Sequence, residues 1–212
     1  MREPTGKTAT AVRGSLLACV IFSLGLLAIA AFATPLDDFP SGLLLIPLVL
    51  LVGLPFLACC VWSVFLLTRI RQGGVKCASP LIVCAVTLTM LNTVPFTQLS
   101  LQANFRWHRA DRERIVARVE AGELKPNVSY NSNMIALGGT EPTVSVGGND
   151  IVVEQTDARP YVLFLTLRGF RHTFSGFLHV PRGGDPEKFF EFADKPPARV
   201  VRYGKDWYFV AN

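Results

Sequence analysis

The sequence predicts an α+β membrane protein: three transmembrane helices, an amphipathic stalk helix, and a C-terminal antiparallel β-meander domain with a short covering helix. The first observation behind this is a charge split. Residues 15 to 101 carry only Asp37, Asp38, Arg69, Arg71 and Lys76, whereas residues 103 to 212 carry fifteen Lys and Arg against thirteen Asp and Glu. The second is that three apolar runs precede residue 101, and the third is that short glycine-punctuated apolar runs follow Lys125 and Pro126.

The expected divisions are an N-terminal segment 1 to 13, a membrane domain 14 to 101, a stalk 102 to 124 and a β-rich domain 125 to 212. Within the membrane domain the helices are placed at about 14 to 34, 42 to 68 and 79 to 101. A crossing of the hydrocarbon core needs ~20 apolar residues, which the first run supplies. That run exceeds the ~7 to 15 apolar residues of a secretory leader, which favours a retained helix over a cleaved one, although "AFA" at 31 to 33 fits a cleavage site. The second run contains Pro47, Gly53 and Pro55, so a tilt or kink is expected. Ser79 and Pro80 suit the start of the third helix, and Pro95 should kink it near its end. Ser15, Cys19 and Ser23 form a small-residue stripe suited to close helix packing, and Thr87, Thr89, Asn92 and Thr93 are expected to hydrogen-bond between helices.

Orientation follows from the basic residues. With the N-terminus cytoplasmic, Arg2, Lys7, Arg13, Arg69, Arg71 and Lys76 lie inside, and the loop "PLDDFPSG" outside holds no Lys or Arg. The opposing group is Arg106, Arg109, Arg112, Arg114 and Arg118 in "NFRWHRADRERIVAR". Six against five is close to a tie. The first helix usually dominates, and charges on a long trailing domain count less, so the expected location is an integral plasma-membrane protein with an extracytoplasmic C-terminal domain.

The same arginines fit the polar side of a helix over 105 to 121. Phe105, Ile115, Val116 and Val119 form its apolar face, Arg109 pairs with Glu113, Asp111 pairs with Arg114, and Gly122 caps the end. Arg106, Trp107, His108 and Arg109 are the candidate membrane-interface residues, because indole and guanidinium groups are stable among headgroups.

In the β-rich domain, 133 to 137, 143 to 146, 151 to 155, 161 to 169, 173 to 180, 198 to 203 and 206 to 211 read as strands, with "GGND" at 147 to 150 as a turn. Asp185 and Pro186 start a short covering helix bearing Phe189, Phe190 and Phe192. Trp207 and Phe209 should share one sheet face and Tyr208 the other. Tyr208 and Phe170 are the candidate partner surface.

Chemistry-bearing patterns are sparse. His108, His172 and His179 are isolated in sequence, and all five cysteines (Cys19, Cys59, Cys60, Cys77 and Cys84) lie in or beside the apolar runs, so no metal or cofactor site is expected. Ser175 lacks a nucleophile-elbow pattern, "PRGGDPEK" lacks the Walker lysine, and "NVS" at 127 to 129 matches a glycosylation acceptor. Interleaved acids argue against a nucleic-acid partner. The expected role is a non-enzymatic, membrane-anchored binding or scaffolding module, whose partners are the lipid bilayer and a membrane or envelope protein. The alternatives are an extracytoplasmic hydrolase or small-ligand sensor, favoured by a pocket with convergent histidine and acidic groups, and an accessory subunit of a larger membrane complex.

Overall fold

The computed structural model describes residues 6–36, 41–69, 74–155, 159–169, 173–190 and 196–212. Two compact units divide between Ser100 and Leu101.

The first unit is helical: α1 (Gly6–Leu36), α2 (Ser41–Thr68), a 3-10 turn (Val75–Ala78) and α3 (Ser79–Thr93). Three helical spans, Thr10–Phe32, Leu45–Thr68 and Val75–Thr93, are long and apolar enough to cross a membrane. α2 runs through Pro47 and Pro55 without a break. Cys19, Phe56 and Cys84 form the unit's buried core, and Ser23, Ser63 and Thr87 are also buried, while Leu51, Leu54 and Val61 point outward. The stripe on α1 therefore packs inward at Cys19 and Ser23. The hydroxyls and amide of α3 do not bridge helices: Thr87, Thr89, Asn92 and Thr93 each donate to a carbonyl four residues back in their own helix. This back-bonding satisfies them locally.

The third helix ends earlier than 101. Pro95 has no N–H to give Leu91, Val94 is extended, and the Phe96 N–H turns to the Val94 carbonyl. A new helix, α4 (Phe96–Glu120), starts there and closes as expected at Gly122, whose φ is 72°. The Glu123 N–H donates to the Arg118 carbonyl and that of Gly122 to Val119, a Schellman arrangement.

From Leu101 onward, α4 is one layer of an α+β module. The six strands are β1 (Met134–Ala136), β2 (Asp150–Glu154), β3 (Tyr161–Arg168), β4 (Phe174–His179), β5 (Arg199–Arg202) and β6 (Trp207–Ala211). They form one antiparallel sheet in the order β1-β2-β3-β4-β6-β5. A meander holds through β4 and then fails, because β6 takes the place beside β4 and sends β5 to the edge. Burial explains the exchange: Trp207, Phe209 and Val210 are buried, whereas Arg199, Val201 and Arg202 are exposed and suit an edge.

One sheet face, carrying Ile151, Val153, Val162, Phe164, Phe177, Trp207 and Phe209, packs under Phe105, Ile115, Val116 and Val119 of α4. The other carries Val152, Leu163, Leu165, Leu178 and Val210 and is covered by Phe189, Val180, Val128 and Val146. Gly176 of β4 is required because a Cβ there would collide with the Phe164 carbonyl.

Two expected elements are absent. Residues 143 to 146 form no strand; Gly147, Gly148 and Asn149 all take positive φ, and the Asn149 side-chain oxygen accepts from the N–H groups of Val144 and Ser145. These bonds hold the segment as a loop that inserts Val144 into one core and lays Val146 against the other. The covering helix shrinks to a 3-10 turn, Pro186–Lys188, capped by Asp185 as expected. Phe189 is extended and buried, and the Phe190 N–H donates to Glu154 instead of continuing a helix. Phe192 lies outside the described residues.

Candidate functional site

Helix α4 lays two kinds of polar group against the sheet. The first is Arg112, only 1% exposed. Phe105, Arg112 and Val119 are seven residues apart, so Arg112 belongs to the buried stripe by spacing alone. The expectation that all five stretch arginines form a polar face is therefore corrected for Arg112. Its Nε and Nη2 donate to the Val144 carbonyl at 3.2 and 3.0 Å, and Nη2 also donates to Asn104 at 2.8 Å. The guanidinium lies 4.7 Å from the Phe177 ring centroid, and Nη1 has no partner among the described residues. Burial pushes its pKa down to about 10, which leaves it charged at neutral pH. A buried cation held by a carbonyl, an amide and aromatic faces, with no carboxylate partner among the described residues, fastens the 141–149 loop to α4.

The second group opens a cavity of about 210 Å³ at one end of the sheet. α4 contributes Glu113, Val116, Ala117 and Glu120 at helical spacing, and His179, Pro181, Arg182, Asp206 and Arg159 complete the lining. Strand pairing sets His179 opposite Trp207, and the two rings meet edge to face at 5.1 Å. The Val180 N–H donates to the Asp206 carbonyl at 2.9 Å, which ties the two strand ends together.

His179 Nδ1 is buried without a hydrogen-bond partner. Burial depresses the His179 pKa below its usual value, with a smaller push from Arg159, against the opposing pull of Glu120, Asp206 and Glu113. The imidazole is therefore neutral near pH 7 and able to donate and accept one hydrogen bond each. Glu113 is engaged by Arg109 at 2.8 Å and Glu120 by Arg159 at 3.7 Å. The lining thus carries three carboxylates (Glu113, Glu120 and Asp206), two guanidinium groups (Arg159 and Arg182) and a neutral imidazole, and among the described residues Asp206 and Arg182 enter no ion pair. Among the described residues no group of three or more His, Cys, Asp and Glu side chains is arranged to hold a metal ion.

The four candidate interface residues lie together on α4. Arg106 and Arg109 are exposed, Trp107 is 84% exposed, and His108 is half-buried with its pKa lowered by burial and then by Arg112. The pairs Arg109–Glu113 and Arg114–Asp111 form as expected. Tyr208 is half-buried against the second core, and Phe170 and His172 lie outside the described residues. The Ser175 hydroxyl pairs with that of Thr166 at 2.9 Å. Asn127 uses its amide on both backbone groups of Ala136, so its nitrogen is already committed at the glycosylation match.

The cavity is not legible in the sequence pattern. Glu113, Val116 and Glu120 carry the helical signal, but Arg159 and Asp206 reach the site only through strand pairing. Comparison with protein-family models, with curated proteins and with solved structures finds no match.

Proposed function

We propose that the chain is a membrane-anchored, non-enzymatic module that binds a small dipolar molecule on the outer side of the plasma membrane. The observation that carries this reading is the cavity beside His179. Its volume of about 210 Å³ is below the ~300 to 1,000 Å³ of drug-sized sites and suits a ligand of amino-acid size. Asp206 would take an ammonium, Arg182 a carboxylate, and His179 a neutral polar group. This follows the sensor reading in ligand class and keeps the binding-module reading in mechanism.

Attachment rests on the three apolar spans, and the outward orientation on the first helix and the odd number of crossings. Exposed Trp107 and Arg106 support contact with headgroups. The accessory-subunit reading is weakened by Cys19, Ser23 and Ser63, which pack inside the helical unit.

Two measurements test the proposal. Thermal unfolding of the full-length protein in detergent, with each free amino acid as probe, is expected to show a Tm rise for at least one zwitterion. Asp206→Asn and Arg182→Gln should each remove that rise, and a rise that survives both substitutions rules the cavity out. For orientation, Ser132→Cys and Gly74→Cys are labelled in a cysteine-free background with an impermeant thiol reagent on intact cells. Ser132→Cys should react and Gly74→Cys should not; the opposite pattern overturns the outward orientation.

A further inference from the structure

We infer that the interior of the helical unit holds a thiol–disulfide centre in which Cys19 and Cys84 form a reversible disulfide and Cys60 is its entry point. Helices α1 and α3 bring the sulfurs of Cys19 and Cys84 to 3.7 Å, and both residues are fully buried. Cys59 and Cys60 of α2 pack against this pair. Four of the chain's five cysteines thus meet in one layer, although they come from three helices and lie up to 65 positions apart.

A disulfide needs an S–S separation of ~2.05 Å, so rotation of the two thiols about Cα–Cβ, with a small approach of the helices, closes the gap. Ser63 stands beside the pair: its hydroxyl lies 3.7 Å from the Cys19 sulfur and reaches the Cys59 carbonyl. Cys59 and Cys60 differ from the buried pair by being partly exposed on the surface of the unit, and of these two Cys60 is the entry point.

The surroundings select the oxidant, and this step rests on the membrane reading of the helices. Outward-facing Leu51, Leu54, Leu57 and Val61 give α2 an apolar exterior that a charged, water-borne oxidant does not enter. A lipid-soluble quinone does, and it accepts two electrons together with two protons, leaving no charge in the hydrocarbon. In the first step the S–H bonds of Cys60 and Cys84 break, the Cys60–Cys84 bond forms, and the quinone becomes a hydroquinone. Cys19 then attacks the Cys84 sulfur, the new S–S bond forms, and Cys60 recovers the proton that Cys19 loses.

The test uses the full-length protein reconstituted in lipid, reduced, and then exposed either to a short-chain ubiquinone or to membrane-impermeant oxidised glutathione. Intact mass should fall by two hydrogens with the quinone, and the linked peptides should join Cys19 to Cys84. Cys60→Ser should slow the reaction about tenfold or more, and Cys19→Ser should stop at a Cys60–Cys84 link. The inference is overturned if the quinone leaves all five thiols alkylatable, or if the wild-type link maps to Cys59 or Cys77. An unchanged rate in Cys60→Ser removes Cys60 as entry point, and faster oxidation by glutathione than by quinone refutes the lipid-side route while leaving helix insertion to the labelling experiment.

Discussion

The two units spend their apolar residues in opposite directions. In the helical unit the large aliphatic side chains face outward, Leu51 being 70% exposed, while Ser23, Ser63 and Thr87 are buried. In the module after Leu101 both faces of the sheet are apolar and covered, and among the described residues only Arg112 and Asp150 of its charged side chains are buried. Cysteines, small hydroxyls and Phe56 fill the inside of one unit, and aliphatic and aromatic side chains fill the other. The difference teaches that similar side chains can be laid out for two solvents: the exterior of the helical unit is apolar enough to suit lipid, and that of the module is polar.

The largest expected effect separates those solvents. Phe164 on β3 is fully buried and Phe56 on α2 is 2% exposed, so by burial alone they are equivalent. Phe164→Ala should destabilise the module by about 4 kcal/mol, because transfer and cavity terms both oppose it. Phe56→Ala should cost only about 1 to 2 kcal/mol, since a phenyl leaving a protein core for lipid loses packing but little transfer free energy. Denaturant titration in lipid or detergent, followed separately by probes on each unit, measures both. Equal losses would place the helical unit in water and remove the contrast.

Arg112 is the most deeply buried charge described in the module. Arg112→Ala should cost about 3 kcal/mol, leaving Val144 and Asn104 without donors and a cavity beside Phe177. Arg112→Met keeps most of the volume and removes a buried charge, so its loss should be about half as large. Hydrogen exchange adds a local readout: both variants should speed exchange at Val144 and Ser145, and protection that survives would deny the loop-fastening role.

A smaller effect concerns pH. The folded-state pKa of His179 lies below the unfolded value near 6.5, so the unfolded chain binds the proton more readily. Stability is then at its full value above about pH 6.5 and falls as pH drops from there toward the folded pKa. His179→Gln should flatten that fall, on top of a pH-independent loss from the missing ring contact with Trp207. His108 is depressed in the same direction and supplies a background slope, so the difference between variant and wild type is the quantity to read. No difference between pH 6.5 and 5 would show that the imidazole is already solvated and the cavity wet.

How much was legible beforehand follows the range of the interactions. Apolar runs, the Asp185 cap and Gly122 are set by neighbours within a turn, and their patterns are written locally. The Arg109–Glu113 pair is of the same kind. Position 112 was misread as part of the polar face, although its seven-residue spacing from Phe105 and to Val119 places it on the buried stripe whatever its charge. The order of β5 and β6 was not legible, because which strand takes the central place depends on what Trp207 and Phe209 meet across the sheet. The cavity lay further from reach: Glu113 and Asp206 are 93 positions apart, and only the finished pairing of β4 with β6 brings them together.

The smallest effect on stability, and the sharpest on the boundary between solvents, belongs to Trp107. At 84% exposure it supports no packing, so Trp107→Phe should change module stability by less than ~0.5 kcal/mol. An indole with an apolar body and one N–H donor is nevertheless suited to the headgroup layer, and Arg106 beside it adds attraction to anionic lipid. Subtracting the Trp107→Phe emission spectrum from that of the wild type in lipid isolates Trp107 from Trp62 and Trp207. The isolated emission should be blue-shifted and quenched by lipids brominated near the headgroup. Emission at the wavelength of free indole in water, with no quenching, would withdraw Trp107 from the interface and leave its exposure without a solvent-based reason.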